Sequence, residues 1–236
     1  MKTAPPRSER DSLPGRLLER AFFEASPEQV APSLLGKLLV AQSASGVLAG
    51  RIVETEAYLG PHNQPPDPAA HAFRGATPRN QVLFGPAAHA YVYSIYGRYF
   101  CMNVTCEGLN KAGCTLLRAL EPIAGIDRMA VNRILKPDAP AWQLTSGPSR
   151  LCQALGLTRR EHDGLDLLDA ASPLQLREDG FTVDQALVTA RIGIHVAVDW
   201  PLRFALPGNG CVSGRKSLKG KILSIESLRS GKFTAI

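Results

Sequence analysis

A tyrosine-rich hairpin constrains the fold of this 236-residue chain more than any other feature. Residues 91–95 and 99–105 are two runs rich in residues that favour strands, and only Tyr96, Gly97 and Arg98 separate them. A connection this short joins antiparallel strands, whereas a parallel pair needs a long crossover. The chain is therefore expected to contain an antiparallel sheet.

Tyr96 is an unusual residue for its position in this hairpin. Cross-strand packing is common in hairpins and explains Tyr91 and Tyr99. The tip of a hairpin, by contrast, usually carries small and polar residues. An exposed aromatic ring beside Arg98 suits insertion into a stack of nucleic-acid bases, or stacking on an unstacked base.

The remaining patterns add helices and further strands around this hairpin. Ser26 as an N-cap, followed by Pro27 and Gln29, predicts a helix that ends near Gly36. Strands are predicted at 47–58, 114–120, 190–198 and 202–206. Helices are predicted at 123–135 and 148–155, and residues 157–188 show no clear pattern. No long linker interrupts the chain, so the pattern predicts one domain, of the α/β or α+β class, with a mostly antiparallel sheet.

Composition narrows the class of protein further. Hydrophobic residues make up 44% of the chain and charged residues 20%, which is typical of a globular protein. No apolar run approaches the ~20 residues that span a membrane, and the N-terminus lacks the apolar region of a secretory signal.

Five cysteines without a CxxC pair favour buried thiols in a reducing compartment, so we expect a cytoplasmic protein without a membrane partner. The net charge of +6 is compatible with a polyanionic partner. No residues have the spacing of metal ligands, and we expect neither a metal nor a cofactor.

A long irregular segment covers residues 60–88 and is dominated by Pro, Gly, Asn and Ala. Loops of this length inside a compact domain are usually functional or disordered. This one contains His71, Arg74 and Arg79, which favours a functional loop.

Glu54, Glu56 and Tyr58 share one face of the predicted strand 47–58, because side chains alternate along a strand. Two carboxylates in a strand that otherwise looks like core are unusual, since carboxylates are rarely buried without a partner. The pattern fits an exposed edge strand that resists pairing, and it equally fits a general base beside an aromatic wall. Arg118, which apolar residues flank in the strand 114–120, is either solvated or paired with one of the two carboxylates.

Six blocks of sequence, in this order, resemble the alkyladenine (3-methyladenine) DNA glycosylase family. They are LLGKLLV at 34–40, IVETEAY at 52–58, TPRN at 77–80, YVYSIYGRYFCMNV at 91–104, LRALEP at 117–122 and SGPSRLC at 146–152. The resemblance runs from about residue 17 to about residue 213. The blocks at 52–58 and 91–104 together are highly specific for this family.

The resemblance implies roles for individual side chains. Glu56 is similar to the general base that activates the attacking water, Arg118 to the residue that helps to hold this water, and Glu54 is given a structural role. Tyr58, His71 and Tyr93 resemble the walls of the base pocket, and Asn103 a pocket residue that rejects normal guanine through its amino group. Tyr96 resembles the wedge that fills the gap left by the flipped nucleotide. Contacts with the DNA backbone are expected from a further set of basic residues: Arg74, Arg79, Arg98, Arg215 and Lys216.

With the resemblance, we predict an α+β single domain with a mostly antiparallel curved sheet, surrounding helices and a protruding β-hairpin. Residues 1–16 are expected to form a flexible arm, 17–213 the glycosylase domain, and 214–236 a basic tail that packs on or extends the same domain. The implied activity is excision of alkylated or deaminated purines from double-stranded DNA by a monofunctional, cofactor-free monomer with no obligate protein partner. The alternatives are a non-catalytic binder of damaged or distorted DNA, and a glycoside hydrolase that uses the two glutamates.

Three departures from the family pattern stand out. The stretch between Tyr58 and His71 is proline-rich and longer than is usual in the family. Arg98 stands where an apolar or neutral residue is expected, and it adds a candidate phosphate contact. Residues 204–213 lack aromatic residues common in the family, so one side of the pocket is expected to be more open.

Overall fold

The computed structural model describes residues 13–43, 46–214 and 218–231. In these residues, ten strands form one curled antiparallel sheet. The strands are β1 (Arg16–Leu17), β2 (Leu38–Ser43), β3 (Gly46–Tyr58), β4 (Ala90–Ile95), β5 (Tyr99–Thr105), β6 (Cys114–Ala124), β7 (Leu174–Glu178), β8 (Gln185–Thr189), β9 (Arg203–Ala205) and β10 (Lys221–Ser224). The predicted α+β class, the antiparallel sheet and its curvature are confirmed.

Strand β3 organises the sheet, because it pairs with three other strands. The main path runs β1-β7-β2-β3-β6-β5-β4. On the edge away from β6, the first half of β3 pairs with β2 and residues 54–56 pair with β9, which leads on to β8 and β10. The β3–β6 register shifts on both sides of Glu54, as at a β-bulge. Bulges bend a strand and increase its twist, so they help to curl the sheet around this point.

Short helices surround the sheet. The α-helices are α1 (Pro27–Ser33), α2 (Ile126–Asn132), α3 (Ala141–Thr145), α4 (Pro148–Leu155), α5 (Arg159–His162) and α6 (Ile225–Arg229), and 3₁₀ turns cover Arg20–Phe23 and Gln81–Phe84. Helix α1 begins as predicted, with a capping box formed by Ser26 and Gln29. Helix α4 has the predicted bounds and ends at Gly156, whose φ of +70° suits a glycine. Among the described residues, no helix is long and apolar enough to cross a bilayer.

The largest apolar cluster lies where α4 packs against β5 and β6. Leu151 and Cys152 of α4 meet Met102 of β5 and Leu117 of β6, and all four side chains are fully buried. Because side chains alternate along a strand, Arg118 points to the opposite face of the sheet from Leu117. The core is thus on one face of β6 and the candidate site on the other. All five cysteines are free and buried, as predicted.

Several predicted elements differ from the structure. The strand predicted at 190–198 is wrong: this segment is made of turns, and the strand β8 precedes it at Gln185–Thr189. The segment 157–188, which showed no clear pattern, contains α5, β7 and most of β8.

The two ends of the described chain lie against the domain. Of the arm predicted at 1–16, the first twelve residues lie outside the described residues, whereas Leu13 is buried and Arg16 begins β1. Of the tail predicted at 214–236, the described part forms β10, which pairs with β8, and α6, which packs on α1. Arg215 and Lys216 lie outside the described residues.

Candidate active site

The strand register places five residues side by side across the sheet. Tyr91 of β4 pairs with Asn103 of β5, Asn103 with Leu116 of β6, Leu116 with Glu56 of β3, and Glu56 with Arg203 of β9. Directly opposed residues of antiparallel strands have their side chains on the same face. Residues from five different strands therefore lie on one face of the sheet.

Glu56 is completely buried at the centre of this row. Its Oε1 accepts a hydrogen bond from the backbone N–H of Ile192 at 2.9 Å. Its Oε2 accepts from the Tyr58 hydroxyl at 2.9 Å and faces Nη1 of Arg118 at 3.1 Å. Strand β3 is paired on both edges, so the interpretation as an exposed edge strand is wrong. Burial, and then the neighbouring Glu56 carboxylate, raises the pKa of Tyr58, so its hydroxyl remains a donor.

Glu54 lies beside Glu56 and is also completely buried. Its carboxylate accepts from Nε of Arg118 at 2.9 Å and from Nε of Arg203 at 2.7 Å. It also accepts from the backbone N–H of Ser213 at 2.6 Å and from the Ser213 hydroxyl at 2.9 Å. Two carboxylates and two guanidinium groups thus balance each other in charge, as buried charges require.

Arg118 bridges the two carboxylates and is itself almost completely buried. Burial alone would lower the pKa of Arg118, but Glu56 and Glu54 outweigh burial and raise it. The solvated alternative for this residue is therefore wrong, and the paired alternative is confirmed for both glutamates.

Three aromatic residues cluster on the same face, towards β4. The imidazole of His71 lies edge-on to the ring of Tyr93 with 4.5 Å between centroids, and Tyr93 stacks on Tyr91 at 5.4 Å. The Nδ1 of His71 lies 3.0 Å from the Tyr91 hydroxyl. Burial, and then the charge of Arg79, lowers the pKa of His71, so the imidazole is neutral at pH 7. Burial raises the pKa of Tyr91 to about 12 and also raises that of Tyr93.

The loop that carries His71 is fixed by Asn80. The Asn80 amide donates to the carbonyl of His71 at 2.8 Å and to that of Gly75 at 3.1 Å. Its own oxygen accepts from the N–H of Thr77 at 2.6 Å and from the Thr77 hydroxyl at 2.9 Å. The block at 77–80 thus holds the backbone around His71 in place, a function that its sequence did not reveal.

Asn103 is buried next to Cys114 of the neighbouring strand. The Cys114 thiol donates to the amide oxygen of Asn103 at 3.7 Å. Burial raises the pKa of this thiol well above its ordinary value, so it keeps its proton. The contact orients the amide of Asn103.

Tyr96 occupies the tip of the hairpin, and its side chain is 90% exposed. Its φ of +49° is unusual for a residue other than glycine. Arg98, at the same tip, places its guanidinium 5.0 Å from the centre of the Tyr99 ring. Arg74 and Arg79 are exposed, and Arg79 donates to the carbonyl of Ser94 in β4 at 3.4 Å.

Two arginines near the tip were not predicted. A groove of about 370 Å³ opens beside Tyr96, and Arg133 and Arg150 line it. Arg150 is exposed, so its charge is available to a partner bound at the hairpin.

A second buried ion pair near Tyr58 was also not predicted. Arg191 pairs with Asp67 of the proline-rich loop, and its guanidinium lies 4.6 Å from the centre of the Tyr58 ring. No sequence signal marked either residue, because Arg191 fell in a segment interpreted as a strand.

Comparison with known proteins places the chain among the DNA glycosylases, the class that the resemblance predicted. Residues 21–210 match the family model of methylpurine-DNA glycosylase, and the chain belongs to this family.

Its relatives include three proteins, each provisionally named a 3-methyladenine DNA glycosylase. The one from Koribacter versatilis is 48% identical over 201 residues, which cover 85% of this chain and 95% of the relative. The one from Burkholderia lata is 44% identical over 202 residues, or 85% and 93% of the two chains. The one from Methanoculleus marisnigri is 46% identical over 202 residues, or 84% and 99%.

Proposed function

We propose that this protein binds duplex DNA that contains a damaged purine, turns the damaged nucleotide out of the helix and hydrolyses its N-glycosidic bond. The product is an abasic site in an intact strand, and the substrates are alkylated and deaminated purines. The family and the names of the relatives support a methylpurine-DNA glycosylase. The observation that supports the hydrolytic step is the pattern of hydrogen bonds to the two buried carboxylates, Glu54 and Glu56.

Glu56 is the better candidate for the general base, because it accepts fewer hydrogen bonds than Glu54 and pairs with one guanidinium group instead of two. An ionised carboxylate offers about four lone-pair positions. Glu54 accepts four bonds from Arg118, Arg203 and Ser213, three of them at Oε1, and its charge balances two guanidinium groups. Glu56 accepts from Ile192, Tyr58 and Arg118 and keeps one position for a water.

In this mechanism Glu56 takes a proton from the water as the water oxygen bonds to the anomeric carbon of the sugar, and the purine leaves with the electrons of the broken N-glycosidic bond. The negative charge beside the sugar also stabilises the oxocarbenium-like transition state. Arg118 holds both carboxylates and helps to orient the water. A carboxylate base with a water nucleophile gives monofunctional hydrolysis, in which no amine attacks the sugar and the reaction is complete without a metal or other cofactor.

Tyr58, His71 and Tyr93 form the walls that stack on the extruded purine. Aromatic faces attract cations, and alkylated purines are often cationic. The lowered pKa of His71 supports this role, because a neutral imidazole does not repel a cationic base. Asn103, whose amide Cys114 orients, is the residue that rejects the amino group of normal guanine.

Tyr96 is the wedge that replaces the extruded base. Extrusion costs a few kcal/mol, and stacking of a base on an aromatic side chain returns about 1–3 kcal/mol. The exposed arginines at 74, 79 and 98 contact phosphates, with Arg215 and Lys216 beyond the described residues. One wedge on one duplex favours a monomer without an obligate protein partner, and the free thiols fit a cytoplasmic enzyme acting on the nucleoid.

The test is base release from end-labelled duplexes that each carry one hypoxanthine or one ethenoadenine, in the presence of a chelator. We expect strand cleavage only after alkali, since the enzyme leaves an abasic site. Glu56→Gln should abolish release and still bind the damaged duplex. The matched control is Glu121→Gln, a partly buried glutamate at the far end of β6.

The alternative is a non-catalytic binder of damaged DNA, which the open acceptor position on buried Glu56 disfavours. Binding without release from either lesion or from methylated genomic DNA would support that alternative and refute the hydrolase. Cleavage without alkali would refute the monofunctional mechanism. A glycoside hydrolase is disfavoured because Glu54 and Glu56 both bind one arginine, whereas such enzymes place their two carboxylates on opposite sides of the bond.

A further inference from the structure

Asp67 and Arg191 form an ion pair in which both side chains are completely buried. The two terminal nitrogens of Arg191 donate to the two carboxylate oxygens of Asp67, with Nη2 at 2.9 Å from Oδ1. The same carboxylate accepts from the backbone N–H groups of Leu59 at 3.2 Å and of Ala69 at 3.0 Å. Bidentate pairs of this kind are geometrically specific, so the proline-rich loop and Arg191 are held in one arrangement.

Arg191 also contacts strand β3 between Glu56 and Tyr58. Its Nη1 donates to the carbonyl of Ala57 at 3.0 Å, and Ala57 separates Glu56 from Tyr58 in the chain. Its guanidinium lies over the Tyr58 ring. One side chain therefore joins the loop, the backbone of β3 and the tyrosine that donates to Glu56.

The residue after Arg191 contacts Glu56 directly. The backbone N–H of Ile192 donates to Oε1 of Glu56 at 2.9 Å. The segment between β8 and β9 consists of turns, so no strand ladder fixes this N–H group. The Arg191 side chain anchors the backbone that supplies it.

We propose that the Asp67–Arg191 pair positions Glu56 for reaction, through the Ile192 N–H group and through Tyr58. The proline-rich loop thereby delivers Asp67 to the site. The proposal rests on the proposed function, because it concerns the carboxylate that activates the water. Asp67 and Arg191 are positioning residues, since their contacts are with Glu56, Tyr58 and the backbone rather than with the reacting atoms.

Loss of this positioning should slow the chemical step more than it weakens binding. A displacement of about 1 Å at a reacting group costs roughly 100-fold in rate. DNA binding depends on the hairpin tip and on phosphate contacts, which the pair does not touch.

The test removes the pair without leaving an unpaired buried charge. The variant is Asp67→Asn together with Arg191→Met, because replacing both partners of a buried pair is tolerated far better than removing one. The asparagine keeps an acceptor for one of the two backbone N–H groups that Asp67 binds. The matched control is Asp179→Asn with Arg51→Met, a second bidentate pair that joins β3 to a loop, with bonds of 3.0 Å and 2.8 Å.

Three quantities are measured for each protein. They are the single-turnover rate of hypoxanthine release, the Kd for a duplex with a tetrahydrofuran abasic site, and the melting midpoint. We expect the rate of the Asp67/Arg191 variant to fall by about 100-fold with an unchanged Kd, and the control variant to keep both values. Arg191→Lys serves as a second variant. It keeps the charge, but one amine cannot bond both oxygens of Asp67 and the carbonyl of Ala57, so we expect a smaller fall in rate alone.

Two results overturn the proposal. One is a rate equal to that of the control variant. The other is a parallel loss of rate, affinity and melting midpoint, which indicates a merely structural pair. A wild-type protein that binds but releases no base refutes the proposed function itself, and the positioning role with it, so the two failures are distinguishable.

Discussion

Glu54→Gln should destabilise the fold more than Glu56→Gln, although the two glutamates are neighbours in one cluster. The substitution is isosteric, so it opens no cavity and changes only charge and hydrogen bonding. Among the described residues, Glu54 is the only carboxylate paired with Arg203, whose side chain is completely buried. In the same part of the chain, Glu56 pairs only with Arg118, which also pairs with Glu54.

The size of each loss of stability follows from the charges and hydrogen bonds that remain after the substitution. Glu54→Gln leaves the guanidinium of Arg203 buried without a counter-charge, and breaking a buried pair in this way costs about 3–5 kcal/mol. Glu56→Gln leaves both arginines paired with Glu54 and weakens hydrogen bonds to a charged group, at about 1.5–3 kcal/mol. For a domain of this size, about 2–4 °C per kcal/mol predicts a fall in Tm of roughly 6–20 °C for Glu54→Gln.

Thermal unfolding followed by circular dichroism checks this prediction, with base release measured on the same samples. Glu56→Gln should be inactive with a modest fall in Tm. Adding Arg203→Met to Glu54→Gln should restore part of the lost stability, because the unpaired charge is removed. A Glu54→Gln protein that melts at the wild-type temperature would refute the reasoning, since the carboxylate would then not be needed to balance Arg203.

Three further perturbations test the hairpin, the pocket and the loop. Tyr96→Ala should change the free energy of unfolding by no more than about 0.5 kcal/mol, because the ring is exposed. It should weaken excision from duplex DNA by the ~1–3 kcal/mol that one stacked base contributes. Excision from a single-stranded substrate should change less. His71 has a folded pKa below its ordinary value of 6.5, so the stability it contributes is complete above that pH and is lost as the pH falls through the folded pKa. Melting midpoints measured across this window should therefore fall more in the wild type than in His71→Gln, and parallel curves would count against a neutral imidazole. Arg79→Ala should reduce the salt-dependence slope of DNA binding by about 1, as measured by titration at several salt concentrations, and an unchanged slope would exclude a phosphate contact.

The elements that could be predicted from the sequence are those with local signals. The capping box at Ser26, the glycine after α4 and the three-residue hairpin connection each act within a few residues of the chain. The side-chain alternation of β3 placed Glu54 and Glu56 on one face, and both in fact bind the same arginine.

The elements that were missed depend on distant partners. Strand β7 lies between β1 and β2, and its five residues become a strand only because those partners flank it. The segment 190–198 contains Val196 and Val198 but leaves both side chains about half exposed. Its apolar residues suggested a strand, whereas β9 is the strand that pairs with β3 and β8.

The difference between the two glutamates also depends on contacts with residues that are distant in the chain. Glu54 is bound by Arg203 and Ser213, which lie 149 and 159 positions further along the chain. No local pattern links these residues, so the sequence could identify the pair of carboxylates but not the number of acceptor positions left on each.

The position of β3 at the centre of the sheet separates the protein into parts that open on different timescales. Amide hydrogens of a strand that is paired on both edges exchange with solvent only when the whole domain unfolds, whereas those of loops and hairpin tips exchange through small local openings. Glu54 and Glu56 are on the slow part, and Tyr96 is on the fast part. The tip can therefore rearrange while the carboxylates keep their geometry, and hydrogen exchange should show strong protection in β3 beside weak protection at the tip.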